Sequence, residues 1–279
     1  PSARLDNATP VMTRLLASYQ PESAERKLAL PWMEDGLLEI PVSLPEDLQL
    51  YDGLRLGPEA VADVWIAILQ QIHARGELFV LMFHPELFDR SATALEAVLR
   101  EARALTPRVW ITDLRSISQW WAEKAAFKAE LHESDDQLEI HFDATDPATV
   151  LVRNLDCPRT SRPWFGNYHI LESRSLRLPA GLRPIVGVGP EAPSHAVTLL
   201  RDLGYIVDTS PAASLCTVFL DQATLATLPS DVALVEHIEK QRAPLVRFGT
   251  WPNAARCALS ITGDADALSL TDYLARVAR

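Results

Sequence analysis

The chain has 279 residues, of which 48% are hydrophobic, and a formal net charge of −11 from 26 basic and 37 acidic side chains. That length leaves room for two ordinary domains, and that apolar share builds a core rather than a disordered chain. The acidic balance argues against nucleic acid as a partner, and no apolar run reaches the about 18 residues that a membrane helix needs.

In chain order, residues 1–9 are a polar lead-in that opens on Pro1 rather than Met, and 10–19 read as a helix. Such an opening is expected of a chain that begins inside a domain. Leu38 to Asp47 reads as an apolar strand ending in polar residues, and 58–75 as a helix. Leu78-Phe79-Val80-Leu81-Met82-Phe83 is then a buried-type strand that ends in His84, with Pro85 stopping it. Strand, helix and strand with polar groups at the strand ends is how an α/β barrel builds its active-site rim. His84 is the leading candidate there; a histidine that merely caps a loop is the alternative.

Helices follow at 91–105, with Ser91 as N-cap, and at 113–131. Trp120 and Trp121 on the second are expected in the core, with stacking on sugar as the alternative. A charged break, His132 to Asp136, opens a second zone. Its alternating segments at 138–142, 149–153, 173–178 and 183–188 suggest a small antiparallel β module. His141 is then an outward-facing residue, and Trp164 and Phe165 are loop aromatics that a glycan would suit. Gly187-Val188-Gly189 precedes Pro190 and is too short for a phosphate loop. From residue 194, helices at 195–204 and 232–242 alternate with strands at 205–208, 215–220 and 243–248, which implies a small parallel α/β layer. His237 beside Glu236 reads as a solvated helix face. Cys157, Cys216 and Cys257 form neither a C-x-x-C motif nor a disulfide framework, which points to a reducing compartment such as the cytoplasm.

Three stretches together are similar to the second half of a polysaccharide deacetylase (NodB-homology) domain. They are Leu37-Leu38-Glu39-Ile40-Pro41-Val42-Ser43-Leu44-Pro45-Glu46-Asp47 continuing to Asp52, then Phe83-His84-Pro85, then Val109-Trp110-Ile111-Thr112-Asp113-Leu114 with Trp120-Trp121. The resemblance spans residues 8 to 122. It implies a distorted (β/α) barrel and metal-assisted hydrolysis of N-acetyl or related amide groups on carbohydrate. It makes His84 the general acid. Glu39, Asp47 and Asp52 are candidates along the same rim, with surface turns as the favoured role for Asp47 and Asp52. Near the other end, Trp251-Pro252 and Cys257-Ala258-Leu259-Ser260-Ile261-Thr262-Gly263-Asp264-Ala265-Asp266 resembles the family's opening T-x-D-x-D motif. That carries the general base onto Asp264 and a metal ligand onto Asp266. An ordinary strand-to-helix turn, with Asp266 or Ser269 capping a helix at 270–277, is the alternative.

Two departures matter. No two of the seven histidines are four apart, so the family's H-x-x-x-H metal pair is absent. The resemblance implies a divalent metal such as zinc, yet weak or absent binding is expected from two aspartates alone. The motif order is also reversed: the opening motif comes about 180 residues after His84. The chain could be permuted, be cut from a longer protein with a complete first barrel, or start a second barrel at its end. The second explanation is the expectation.

The resulting expectation is an α/β protein. Residues 1–132 form the later half of a polysaccharide deacetylase-like barrel, 133–193 a β-rich accessory module, and 194–279 a small α/β module. The function expected is amide hydrolysis on a carbohydrate, incomplete in this chain. The alternative is a non-catalytic carbohydrate-binding or interaction unit. An unclosed barrel would leave a strand edge through which copies could self-associate.

Overall fold

The computed structural model describes residues 22–155 and 161–264. Over these residues the chain is a mixed α/β protein with several sheets and no closed barrel. The helices expected at 10–19 and 270–277, with Cys157 and Asp266, lie outside the described residues.

β1 (Trp32–Glu34) and β2 (Leu37–Glu39) form an antiparallel hairpin. Asp35 and Gly36 turn it with positive φ of 49° and 80°, the geometry that an Asp-Gly pair favours. The strand expected to run on to Asp47 stops here. Pro41 and Pro45 offer no ladder donor, and only Ser43 makes a bridge, parallel to Leu81.

α1 (Pro58–Arg75) begins on a proline and ends at Gly76, whose φ is 81° and whose N–H donates to the Ile72 carbonyl at 2.8 Å. β3 (Leu78–Phe83), α2 (Phe88–Ala104), β4 (Val109–Ile111) and α3 (Leu114–Lys124) follow. Ser91, expected to cap α2, lies inside it and is buried. Asp113 caps α3 by accepting from the Ser116 N–H at 2.7 Å. The helix expected to reach residue 131 stops at Lys124. β5 (Lys128–Glu133) takes its place, paired with β6 (Gln137–Asp143) and turning Ala129 and Leu131 toward the core. The ladder overrides the helix preference of Lys, Ala, Glu and Leu.

β7 (Val150–Arg153), β8 (Ser161–Pro163), β9 (Tyr168–Leu171), β10 (Ser175–Pro179) and β11 (Arg183–Val188) lead to α4 (Ser194–Asp202). Then come β12 (Val207–Asp208), β13 (Cys216–Leu220), α5 (Gln222–Ala226), α6 (Asp231–Lys240), β14 (Leu245–Phe248) and β15 (Cys257–Gly263). Sheet membership crosses the boundaries drawn at 132 and 193. β10-β6-β5 and β14-β7-β9-β8 are antiparallel sheets, and β12-β11-β13 is parallel. β14 was expected in the parallel layer; it pairs antiparallel with β7 instead, and β11 takes the central place. Gly187 leaves no room for a side chain: a Cβ there would come within 1.9 Å of the Ala213 carbonyl oxygen.

A further sheet has the order β3-β15-β4, all parallel. The last described strand therefore sits between two earlier ones. Both faces of this sheet are covered. Phe79, Leu81, Cys257 and Leu259 pack with Trp65, Leu69 and Val98 of α1 and α2. Leu78, Val80 and Ala258 join the core of Ile117, Trp120, Trp121 and Trp251. Strands buried on both sides read as continuous apolar runs, which is what these are.

Candidate functional site

Parallel strands gather their carboxyl ends on one edge, the usual place for ligands in open α/β sheets. Ser43 is tied to β3: its N–H donates to the Val80 carbonyl at 3.0 Å, and its Oγ accepts from the Val80 N–H at 3.3 Å. Four residues further on, Asp47 reaches the end of β3.

There Asp47 meets His84. The His84 Nδ1 and Asp47 Oδ1 lie 2.7 Å apart, and the His84 backbone N–H donates to Asp47 Oδ2 at 2.8 Å. The Leu48 N–H donates to Oδ1 at 2.9 Å. Asp47 is 0% exposed and His84 3%, so this is an interior dyad and not the surface turn considered for Asp47. A carboxylate only accepts, so a bond from the ring to Asp47 would use a proton on Nδ1. The second ring nitrogen, Nε2, lies across the ring from this contact.

Asp264 follows β15 as His84 follows β3. Gly263 is in register with Phe83, and the Asp264 N–H donates to the Phe83 carbonyl at 3.0 Å. Asp264 is exposed at this edge. The two residues expected as acid and base thus stand on neighbouring strand ends. A Cβ on Gly263 would come within 3.0 Å of Pro85 Cγ, so the glycine allows this close approach.

Other expected residues are elsewhere. Glu39 is exposed on β2 opposite Trp32, within the hairpin and outside this sheet. Asp52 is exposed and pairs with Arg90 at 3.0 Å. Trp120 and Trp121 are buried in the core. Trp164 and Phe165 are half-buried rather than free loop aromatics. The Trp164 Nε1 donates to the Ala254 carbonyl at 2.8 Å, and the Arg256 guanidinium lies 4.4 Å from the Phe165 centroid.

Two neighbours of the dyad were not singled out in the sequence. Glu46 is buried beside Asp47, and its N–H donates to Gln49 Oε1 at 3.2 Å. Gln49 is buried too, and its Nε2 has no hydrogen-bond partner among the described residues, a donor that a bound ligand or water would satisfy. The adjacent pair Glu46-Asp47 directly after Pro45 was the available signal. Glu46, Asp47 and His84 offer ligand atoms all within 4.8 Å of one another, so the cluster could hold a metal ion.

No family model, curated protein or solved structure matches the chain.

Proposed function

We propose that the chain is a hydrolase of the polysaccharide deacetylase type, acting on an N-acetyl amide of a carbohydrate through Asp47, His84 and Asp264. The buried Asp47–His84 pair, at 2.7 Å, is the observation that carries this reading. A histidine held by a carboxylate on one nitrogen is oriented to move a proton at the other. The resemblance of the flanking motifs, and Asp264 on the adjacent strand end, support the same assignment.

In this reading Asp264 takes a proton from water as the water oxygen attacks the acyl carbon. The His84 Nε2–H gives its proton to the amine as the C–N bond breaks, leaving acetate and a free amino sugar. In this step His84 acts as the imidazolium, with Nδ1–H on Asp47 and Nε2–H toward the leaving amine; Asp47 orients the ring and favours that charged form, and His84 is left neutral with its proton on Nδ1. A divalent cation, when bound, polarises the acyl oxygen and lowers the pKa of its water. The carboxylates and imidazole of the cluster suit zinc or a similar ion.

A second reading, a metal centre made by all three residues, is favoured by their mutual distances. Calorimetric titration with zinc or cobalt separates the two. Sub-micromolar one-to-one binding that is lost in Asp47→Asn and His84→Ala supports the centre; its absence supports the dyad.

The activity itself is tested on an N-acetylated oligosaccharide. His84→Ala is expected to lower turnover by about 10²–10⁴-fold with little change in substrate binding. Survival of turnover within a few-fold would overturn the assignment of the acid. Saturable binding of the oligosaccharide without turnover in the unaltered chain would favour the non-catalytic unit.

A further inference from the structure

A cavity of about 420 Å³ lies at the opposite end of the central strand from the dyad. Its wall includes Ala74 and Arg75 at the end of α1, just before β3 begins at Leu78. At about 3.3 Å per residue, six residues of strand set it roughly 20 Å from His84. In a chain with a net charge of −11, this cavity is basic: five arginines and Lys240 line it, against Glu236 and Glu239, with Lys240 paired to Glu236 at 2.7 Å and Arg75 to Glu77 at 3.7 Å, which leaves Arg153, Arg242, Arg247 and Arg256 against Glu239.

The floor does not neutralise itself. Arg153 and Arg247 share one carboxylate, Glu239, at 2.7 and 3.6 Å. Glu239 also accepts from the Tyr168 hydroxyl at 3.0 Å and from the Tyr205 hydroxyl. Arg256 has no carboxylate partner among the described residues, and neither has Arg242. The rings of Phe165 and Trp164, at 4.4 and 5.5 Å, hold the Arg256 guanidinium in place. Burial and the nearby Arg247 push its pKa down to about 10, with Glu239 only partly opposing.

Capping accounts for part of this. The Arg153 Nη2 donates to the Ile238 carbonyl at 2.8 Å and the Arg256 Nη2 to the Ala74 carbonyl at 2.6 Å, both at helix C-termini. It does not account for the charge excess or for Arg242. Asn167 and Gln241 add neutral polar groups to the lining, suited to hydroxyls. The volume falls within the about 300–1,000 Å³ of small-molecule sites.

We propose that this cavity binds a sugar-sized anion, a phosphate- or carboxylate-bearing polyol, with Arg242 and Arg256 taking the charged group. This site is separate from the dyad and does not depend on the hydrolase reading.

The test is calorimetric binding to the full chain at low ionic strength, with glucose 6-phosphate and glucuronate as probes and glucose and inorganic phosphate as controls. Binding of at least one charged sugar with a Kd of a few millimolar or tighter is expected, weakened by salt. The comparison of the two probes tells phosphate from carboxylate recognition. Arg242→Ala and Arg256→Gln should each weaken binding by about tenfold or more. If Arg256→Gln does not fold, Arg242→Ala, at an exposed position, still decides. No binding of either charged sugar at about 10 mM, glucose or inorganic phosphate binding as tightly, or unchanged affinity in Arg242→Ala would each overturn the proposal.

Discussion

The Asp264 backbone N–H donates to the Phe83 carbonyl oxygen at 3.0 Å, so the residue after the last described strand stands beside the residue after β3. Positions about 180 apart in the chain become neighbours through one parallel ladder. An acid and a base candidate from opposite ends of the sequence thereby share an edge.

The dyad predicts the effect of Asp47→Asn. An amide keeps the size of the carboxylate but loses its charge and can present an N–H to the ring. Turnover on an N-acetylated oligosaccharide should fall about 10²-fold or more, while the thermal midpoint changes far less. Nitrogen NMR of His84 should show the proton leaving Nδ1. An unchanged tautomer together with unchanged turnover would remove Asp47 from the mechanism.

Gly263→Ala is predicted to act through Pro85. The added methyl would meet Pro85 Cγ at 3.0 Å, so the turn after His84 must shift by a few tenths of an ångström. Stability should fall by about 1–3 kcal/mol, the usual cost of overpacking, and turnover should fall with it. A shift in substrate-saturated rate without loss of secondary structure, followed by circular dichroism, checks that the effect is local.

Stability should depend on pH through Glu77. Burial pushes its carboxyl up to about 7, with the Ala29 N–H and Arg75 only partly opposing, against an ordinary value of 4.5. The folded protein then keeps a proton that the unfolded chain has released. Stability from this group is complete below about pH 4.5 and falls as pH rises to about 7, by about 3 kcal/mol at ~1.4 kcal/mol per unit. Glu77→Gln removes the ionisation. The difference between variant and unaltered chain in denaturant titrations should be small at pH 4.5 and largest at pH 8. A pH-independent difference would show that Glu77 does not titrate in this window.

Truncation before β15 should unfold the parallel sheet. Cys257, Ala258 and Leu259 are all 0% exposed and fill the space between β3 and β4. Without them two apolar strand edges open at once, and such edges pair with other copies. Residues 1–256 are expected to lose cooperative thermal unfolding and to elute as large aggregates. A monomeric, cooperatively folding fragment would count against the central role of this strand.

Much of the local structure was legible in the sequence. α1 spans the residues expected, Pro58–Arg75, because proline and glycine mark its ends and its apolar positions repeat within a few residues. His84 was legible as a strand end because an apolar run stops there against Pro85. Asp47 was visible as a polar residue after a strand, but not as the buried partner of His84. That depends on Ser43 bridging Leu81, a contact between residues 38 apart. The strand Cys257–Gly263 was legible as a strand, while its place between β3 and β4 was not. A strand that is apolar on both faces carries no mark of which neighbours it will have, and backbone hydrogen bonds are the same for every partner. The ends of α1 follow from the proline and glycine at its own boundaries, so the sequence determined them; strand neighbours follow from which faces can be buried together. Only the tertiary structure decided that, and with it the meeting of Asp47, His84 and Asp264 at one edge.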